Sequence, residues 1–237
     1  MLATIITEEQ WLKLKSILLD LNVYDKPSLK ETFLGIIYRL KTGCQWRYLP
    51  SCYGKANTVF KAFRRWSASG LFYRLFKRLI KDADMEWVSI DATHVRAHQS
   101  SAGSAGDDYQ YIAKSVGGNS SKIHLAVDAH GNPIEFIVSD GVTHDIKIAP
   151  MLLQLLDLQD TEFLNADKGY DSEEFRSLAY SQGVRANIPR KKNAKSNNSH
   201  MDWLIYQARH VVENTFANLK HFRALSSRYD KLLNSYI

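Results

Sequence analysis

The sequence predicts a mixed α/β chain whose first third is all helical, and three observations predict it. Up to residue 84, apolar residues recur at helical spacing behind capping signals. From residue 87 they fall into the short runs and alternations of β-strands. These strands then interleave with helical patterns, the order expected of an α/β sheet. We therefore expect a helical unit over residues 1–84 and an α/β unit over residues 85–237.

The helical unit opens at Thr7, which with Gln10 forms a capping-box pattern, and Ser28 with Glu31 repeats it. Behind the second cap, Leu29, Phe33, Ile36, Ile37 and Leu40 line one helix face, and Gly43 is placed to end that helix. A loop with Trp46 and Pro50 follows. Val59, Phe60, Phe63 and Trp66 then mark a third helix, and Phe72, Leu75, Phe76 and Leu79 a fourth. Their rings read as core rather than as a base-stacking platform.

In the second unit, residues 87–90 form an apolar strand ending at Asp91. Residues 100–121 are polar and, with Gly103, Gly106, Gly117 and Gly118, read as a surface loop. Ile123, Leu125 and Val127 alternate with polar residues, and Gly131-Asn132-Pro133 turns the chain into a second hairpin strand over 134–138. A helix over 148–156 and a strand over 163–166, ending in Asp167, come next. Ser172 caps a further helix with Glu173 and Glu174 in its first turn. A short strand at 186–188 and a basic loop over 190–195 lead to one long helix from about residue 202 to 225.

Hydrophobic residues make up 45% of the 237 residues, enough for a packed core. The net charge is +6 and is unevenly placed. Eight Lys or Arg and no acid fall between Lys55 and Lys81, and six more, again without an acid, between Arg176 and Met201. Such runs suit a polyanionic partner, although a solvated face has the same composition. They nominate Arg64, Arg65, Arg190, Lys191 and Lys192 as phosphate contacts. Cys44 and Cys52 have no histidines at finger spacing and read as reduced, structural residues. No apolar run is long enough to span a bilayer, and Glu8 and Glu9 break any signal-peptide pattern. The expectation is a soluble cytoplasmic protein without a membrane partner.

Asp91 and Asp167 each stand where an apolar run ends, and Glu213 lies in the last helix. Three carboxylates brought together can hold two divalent ions about 3.5–4 Å apart for phosphoryl transfer, and hard oxygen ligands suit Mg²⁺ or Mn²⁺. Among 25 acids the nomination is weak alone. The last helix sharpens it. Tyr206, Arg209, Glu213 and Lys220 return to one helix face within about 40°, beside an apolar stripe of Ile205, Ala208, Val212, Leu219 and Phe222. Arg209 and Glu213 also make an ordinary i,i+4 pair.

The run Tyr206-x-x-Arg209-x-x-x-Glu213, followed by six residues and Lys220, resembles the signature of the D-D-E transposases of the insertion-sequence-4 and -5 group. Residues 89–93 (Ser-Ile-Asp-Ala-Thr) resemble that family's first aspartate motif, and residues 167–171 (Asp-Lys-Gly-Tyr-Asp) its second. Residues 121–124, 131–133 and 143–145 are similar to its central segment. The Arg-Tyr-Asp-Lys run at 228–231 is similar to its segment after the glutamate helix. Residues 45–50 with Arg65-Trp66 are similar to the helical start of the insertion-sequence-5 branch. The resemblance runs over essentially the whole chain. It implies an RNase H-like sheet flanked by helices, with the first aspartate on the central strand, the second at the end of a neighbouring strand and the glutamate on a helix. It implies Asp91, Asp167 and Glu213 as metal ligands and catalytic residues, with Mg²⁺ (or Mn²⁺), two ions, as cofactor. It implies double-stranded DNA as partner, both terminal inverted repeats and target, with Tyr206, Arg209 and Lys220 on the DNA end and the protein oligomeric on DNA. In such enzymes, water cuts at the element's end and the freed 3′ hydroxyl attacks target DNA. The alternatives are an RNase H-like nuclease that cuts without joining, and an inactive DNA-binding relic.

Several residues are not promoted. His94 and His98 stand at i,i+4 but follow a strand and have no glutamate between them. His124 and Asp128 read as a hydrogen-bonded pair on one strand face, and Asp140 and Asp145 as loop carboxylates; the resemblance lets His144 and Asp145 support the site. Relatives with the 228–231 run continue into a further apolar helix, so Leu232, Leu233 and Tyr236 read as the start of a segment whose loss leaves apolar surface uncovered.

Overall fold

A computed structural model of the chain describes residues 6–80, 82–101, 110–194 and 196–236. Four helices come first: α1 (Glu8–Asp20), α2 (Leu29–Thr42), α3 (Ala56–Ala68) and α4 (Leu71–Leu79). Thr7 starts α1 through the full capping box, accepting from the Gln10 N–H while the Gln10 side chain accepts from the Thr7 N–H. The expected box at Ser28 is not made. Its backbone is not extended (ψ 20°), so the hydroxyl cannot reach back over the first turn, and the Ser28 carbonyl instead accepts from the Thr32 hydroxyl. Gly43 ends α2 in the left-handed conformation (φ 66°). Trp11, Leu18, Leu29, Phe33, Ile36, Val59, Phe63 and Trp66 share one core, so the aromatic stripe is packing, as expected. Gly35 lets α2 approach the turn before α3 and α3 itself: an added Cβ would meet the Tyr53 Cβ at 2.9 Å and Val59 Cγ1 at 3.3 Å.

The rest of the chain forms a seven-stranded sheet with helices on both faces. The strands are β1 (Trp87–Ala97), β2 (Ala113–Ser115), β3 (Gly118–Val127), β4 (Pro133–Asp140), β5 (Phe163–Asn165), β6 (Arg185–Asn187) and β7 (Ser227–Arg228). β4, β3 and β1 are antiparallel neighbours, while β5 and β6 run parallel to β1 on its other side. This order and these directions are those of an RNase H-like sheet. One face packs Val88, Ile90, Ala126, Ile134 and Leu164 against α5 (Asp145–Gln154) and α6 (Glu173–Ser181). On the other, Leu125 and Val127 pack against Val212 and Phe216 of α8 (His210–Lys220). No helix among the described residues is long and apolar enough to cross a membrane.

Three sequence expectations need correction here. β1 does not end at Asp91 but continues to Ala97, its polar second half carried by pairing with β3 from Ser89↔Val127 to Arg96↔Ser120. The polar segment after residue 100 is not all loop: β2 pairs with β3 as an edge hairpin closed at Val116-Gly117, whereas Gly103 and Gly106 lie outside the described residues. The single long C-terminal helix is three: α7 (Trp203–Gln207), α8, and α9 (Arg223–Ser226). Between α7 and α8 the backbone tightens to i→i−3 bonds, Arg209 to Tyr206 and Val212 to Arg209 among them, which breaks the α-helical ladder without turning the chain away.

Two polar joints fasten the helical unit to the sheet. Arg39 of α2 makes a two-pronged pair with Asp230 at 3.0 and 3.3 Å, both largely buried. Tyr73 and Lys77 of α4 converge on the buried carboxylate of Glu135 on β4, which pushes the Tyr73 phenol up to about 12, by burial first and then by that carboxylate. Tyr236 is itself buried against Val95 and Val138 with Leu233 packed beside it, whereas Leu232 is exposed.

Candidate active site

Side chains two residues apart on a strand share a face, and register partners on neighbouring strands share one too. β5 pairs with β1 in parallel, Ser89 beside Asn165. Two residues further along stand Asp91, still on β1, and Asp167, two residues past the end of β5 and near enough for its charge to act on Asp91. Asp91 is opposite Leu125, and Leu125 packs on α8. That face is therefore the one over which α8 lays Glu213.

β1 has a gap on this edge. It pairs with β5 only over Trp87–Ser89 and with β7 only at Arg96 and Ala97. Between them residues 90–95 have no strand partner on that side among the described residues, and Asp91 sits in the opening. The first aspartate is thus at mid-strand, and its exposure comes from the neighbouring strand stopping rather than from its own strand ending.

Local devices aim the other groups. Asp167 caps the short 3₁₀ turn Lys168–Tyr170, its Oδ1 accepting from the Gly169 N–H at 2.7 Å. A Cβ at residue 169 would stand 2.8 Å from that oxygen, so any other residue there would push the carboxylate out of this position. Beneath the carboxylates lies a buried polar row across three strands, Ser89, Asn165 and Asn187. The Asn187 amide donates to Asn165 Oδ1 (2.8 Å) and to the Asp202 carbonyl (2.9 Å), and accepts from the Asp202 N–H (3.0 Å). Asp202 caps α7 through the Ile205 N–H, so the row sets the glutamate-bearing segment against the aspartate-bearing strands. Thr215 fastens α8 to the β3–β4 turn by donating to the Gly131 carbonyl at 2.6 Å. None of the residues in this row was singled out from sequence; a buried Asn beside a short strand carries no distinctive pattern.

The three acids act on one another electrostatically. The Asp91 carboxyl is pushed up to about 6, by burial first; Asp167 and Glu213 add to the rise, against the Ala92 N–H and Arg209. Burial raises the Tyr170 phenol too, with Asp91, Asp145 and Asp167 adding to it. Arg209 stands between the acids, 2.6 Å from Glu213 Oε1 and 3.7 Å from Asp91 Oδ2, with its guanidinium 5.8 Å from the Tyr206 ring centre. As the side chains stand, no three acid, histidine or cysteine groups among the described residues are gathered closely enough to hold a metal ion. The donor set nevertheless suits one: three hard carboxylates from separate elements, with a cationic group already between two of them.

Other nominated residues fare differently. Lys220 ends α8 and bears electrostatically on His94, whose proton affinity is lowered by burial first and then by Lys122, with Lys220 adding to it. Arg64 and Arg65 lie on the exposed side of α3 with no ion-pair partner among the described residues. Arg190 is engaged by Asp171 and Glu173, and Lys191 by the Asp171 carboxylate and carbonyl, while Lys192 is exposed. Asp171 is also held by buried Arg176, so this network shapes the basic loop. His124 does not pair with Asp128. It bonds the Ser139 hydroxyl at 2.7 Å, while Asp128 accepts from the N–H groups of Asp84, His130 and Asn132 and closes the hairpin turn. Asp145 is not a free loop carboxylate but the first residue of α5, paired with Lys122 at 2.9 Å. His98 stacks on Tyr229 at 4.6 Å, away from His94. Cys44 and Cys52 are free thiols.

The chain has counterparts among known proteins. Residues 82–236 match the family model described as the transposase DDE domain, and residues 6–76 that of a putative transposase of the IS4/5 family. The chain belongs to the DDE transposase family. It is 36% identical over 69 residues to the uncharacterized protein y4sN of Sinorhizobium fredii, covering 29% of this chain and 55% of that one. It is 30% identical over 118 residues to the putative transposase for insertion sequence element IS6501 of Brucella ovis, covering 49% of this chain and 88% of the relative. The chain thus spans about half the length of the first relative and most of the second. Among solved structures, a piggyBac transposase synaptic complex with hairpin DNA aligns at TM-score 0.46 and 9% identity, over 73% of this chain and 44% of that one. Members of the DDE family depend on divalent metal.

Proposed function

We propose that this chain is the transposase of an insertion sequence, acting in the cytoplasm as an oligomer on double-stranded DNA. It recognises the terminal inverted repeats of its element, cuts at the element's end and joins the freed 3′ hydroxyl to target DNA. The observation that carries the proposal is that Asp91 on β1, Asp167 just past the end of the neighbouring β5 and Glu213 on the helix over that sheet face act on one another's surroundings, in a chain of this family. Asp91, Asp167 and Glu213 would hold Mg²⁺ or Mn²⁺, two ions in this reading, which supply Lewis-acid activation of the attacking oxygen and stabilisation of the leaving one. Tyr206, Arg209 and Lys220 orient the DNA end. Lys192, with Arg190 and Lys191 behind it, meets backbone phosphate.

Incubation of the protein with labelled duplex from the element's ends, a target plasmid and Mg²⁺ tests the proposal. Joined product is the expected result. Cleavage without joining makes the protein a nuclease, and binding without cleavage makes it a DNA-binding relic.

Residues 1–84 supply the recognition in this proposal and residues 85–237 the chemistry. The exposed side of α3 carries Asn57, Thr58, Lys61, Arg64 and Arg65, with no acid anywhere in the helix. Replacing Arg64 and Arg65 together by alanine is expected to weaken binding and to lower the salt-dependence slope of log affinity by about 2, one unit for each phosphate no longer neutralised. Gel shifts of the full chain at several salt concentrations measure it. An unchanged slope would remove α3 from the interface.

A further inference from the structure

The cation nearest the three acids in this fold is a side chain. Arg209 donates to Glu213 at 2.6 Å and lies 3.7 Å from Asp91, spanning the two carboxylates that a divalent ion has to share. Its Nε is buried without a hydrogen-bond partner among the described residues, so the guanidinium meets the acids through its two terminal nitrogens while this third donor has no acceptor. Its plane rests near the Tyr206 ring, and it belongs to the tightened, i→i−3 bonded stretch between α7 and α8. A guanidinium offers five donors in a planar fork that matches phosphate as well as carboxylate, and it cannot discharge by losing a proton. Its charge therefore stays beside the acids at any working pH, and a competing anion is the partner that can replace them without leaving it unpaired.

We propose that Arg209 is a placeholder cation that keeps the divalent-metal site closed until DNA is bound. In the DNA-free protein its charge satisfies Glu213 and Asp91 and competes with metal for them. A DNA phosphate draws the guanidinium away, its Nε gains the partner it lacks, and the two carboxylates are released to ligate the ion. DNA and metal then bind with positive coupling, and by reciprocity metal tightens DNA binding by the same factor. An enzyme that cuts DNA gains from this order, because its metal-activated state is confined to the DNA complex. The inference rests on the reading of Asp91, Asp167 and Glu213 as metal ligands.

The test reads metal binding rather than cleavage. Mn²⁺ affinity is measured by titration calorimetry and electron paramagnetic resonance for wild type, Arg209→Ala and Arg209→Lys, each alone and with a duplex oligonucleotide. Wild type alone is expected to bind Mn²⁺ at least about tenfold more weakly than Arg209→Ala alone, the factor carried by one charge-assisted hydrogen bond. Duplex DNA is expected to tighten Mn²⁺ binding by wild type by a similar factor and to leave Arg209→Ala almost unchanged. Arg209→Lys, a point charge without the planar fork, falls between the two and guards against a fold defect in the alanine variant. Equal Mn²⁺ affinities of wild type and Arg209→Ala without DNA would overturn the placeholder while leaving the metal-ligand reading intact. Failure of all three proteins to bind Mn²⁺, with or without DNA, would overturn both.

Discussion

Asp91→Asn is expected to abolish DNA cleavage and, at the same time, to make the metal-free protein more stable. The fall in activity follows from removing one of three metal-ligand charges, and single removals from a catalytic set of this kind lower turnover by about 10³-fold or more. The gain in stability follows from the energetics of the gap in the sheet. Burial, with Asp167 and Glu213 nearby, lifts the Asp91 carboxyl from 3.8 to about 6. A carboxyl whose folded-state pKa is raised binds its proton more tightly folded than unfolded, so its ionisation opposes folding. The penalty is absent below pH 3.8, grows between there and about pH 6, and is fully present above. Two pKa units correspond to about 3 kcal/mol with the attraction to Arg209 already counted, and solvent screening of a side chain 23% exposed leaves on the order of 2 kcal/mol. For a chain of this length that is a rise in melting temperature of roughly 4–8 °C at pH 7.5, shrinking as the buffer approaches pH 4. Melts of wild type and variant in EDTA across this range measure it, with cleavage assayed in parallel. A variant that melts below wild type at pH 7.5 would show that Asp91 holds the fold together rather than straining it.

What was legible in the sequence is what short-range chemistry decides. The Thr7 capping box, the Gly43 stop and the Ser172 cap of α6 are each settled by residues within four positions of one another. The glutamate segment was legible because helical spacing lines up Tyr206, Arg209 and Glu213, and the tightened turn after Gln207 keeps Arg209 on Glu213. What the sequence hid depends on partners far along the chain. The second half of β1 is polar and half exposed, and is a strand only because β3 lies beside it and β7, some 130 residues later, closes its end. Ser28 carries the letters of a cap but not the extended backbone that a cap requires. Arg190 and Lys191 look like free cations in a basic run, yet Asp171 and Glu173 engage them from 17 to 20 residues away. The cation between Asp91 and Glu213 belongs to the same class, since its position is set by a strand, a tightened turn and a helix together.

Arg228→Ala is expected to be the most destabilising single change outside the apolar cores. Arg228 has no exposed surface, and burial lowers its proton affinity, with Tyr236 and Asp230 opposing the shift. Its guanidinium is held by neutral acceptors. It donates to the Gln110 carbonyl at 2.8 Å, to the Ser121 hydroxyl at 2.9 Å and to the carbonyls of Asp230 and Lys231, and it lies 4.8 Å from the Tyr236 ring centre. Its own carbonyl accepts from the His98 N–H and the Ser101 hydroxyl. The side chain therefore ties β3 to the segment that follows β7, and it sets the loop from which Asp230 reaches Arg39 of α2. Two effects oppose each other on removal. The desolvation cost of a buried cation is relieved, but the buried Ser121 hydroxyl and several partly buried carbonyls lose their donor and the vacated volume is not refilled. Acceptors on three separate segments outweigh one relieved charge, and the expected cost is about 3 kcal/mol, or roughly 6–12 °C in melting temperature. Limited proteolysis should show new cleavage between residues 227 and 236. Arg228→Met separates the causes, because it keeps the packing against Tyr236 and discards every hydrogen bond. A methionine variant as stable as wild type would mean that the guanidinium fills space there. One that melts with the alanine variant would assign the C-terminal segment, and through Asp230 the seating of the helical unit on the sheet, to the hydrogen bonds of this one buried arginine.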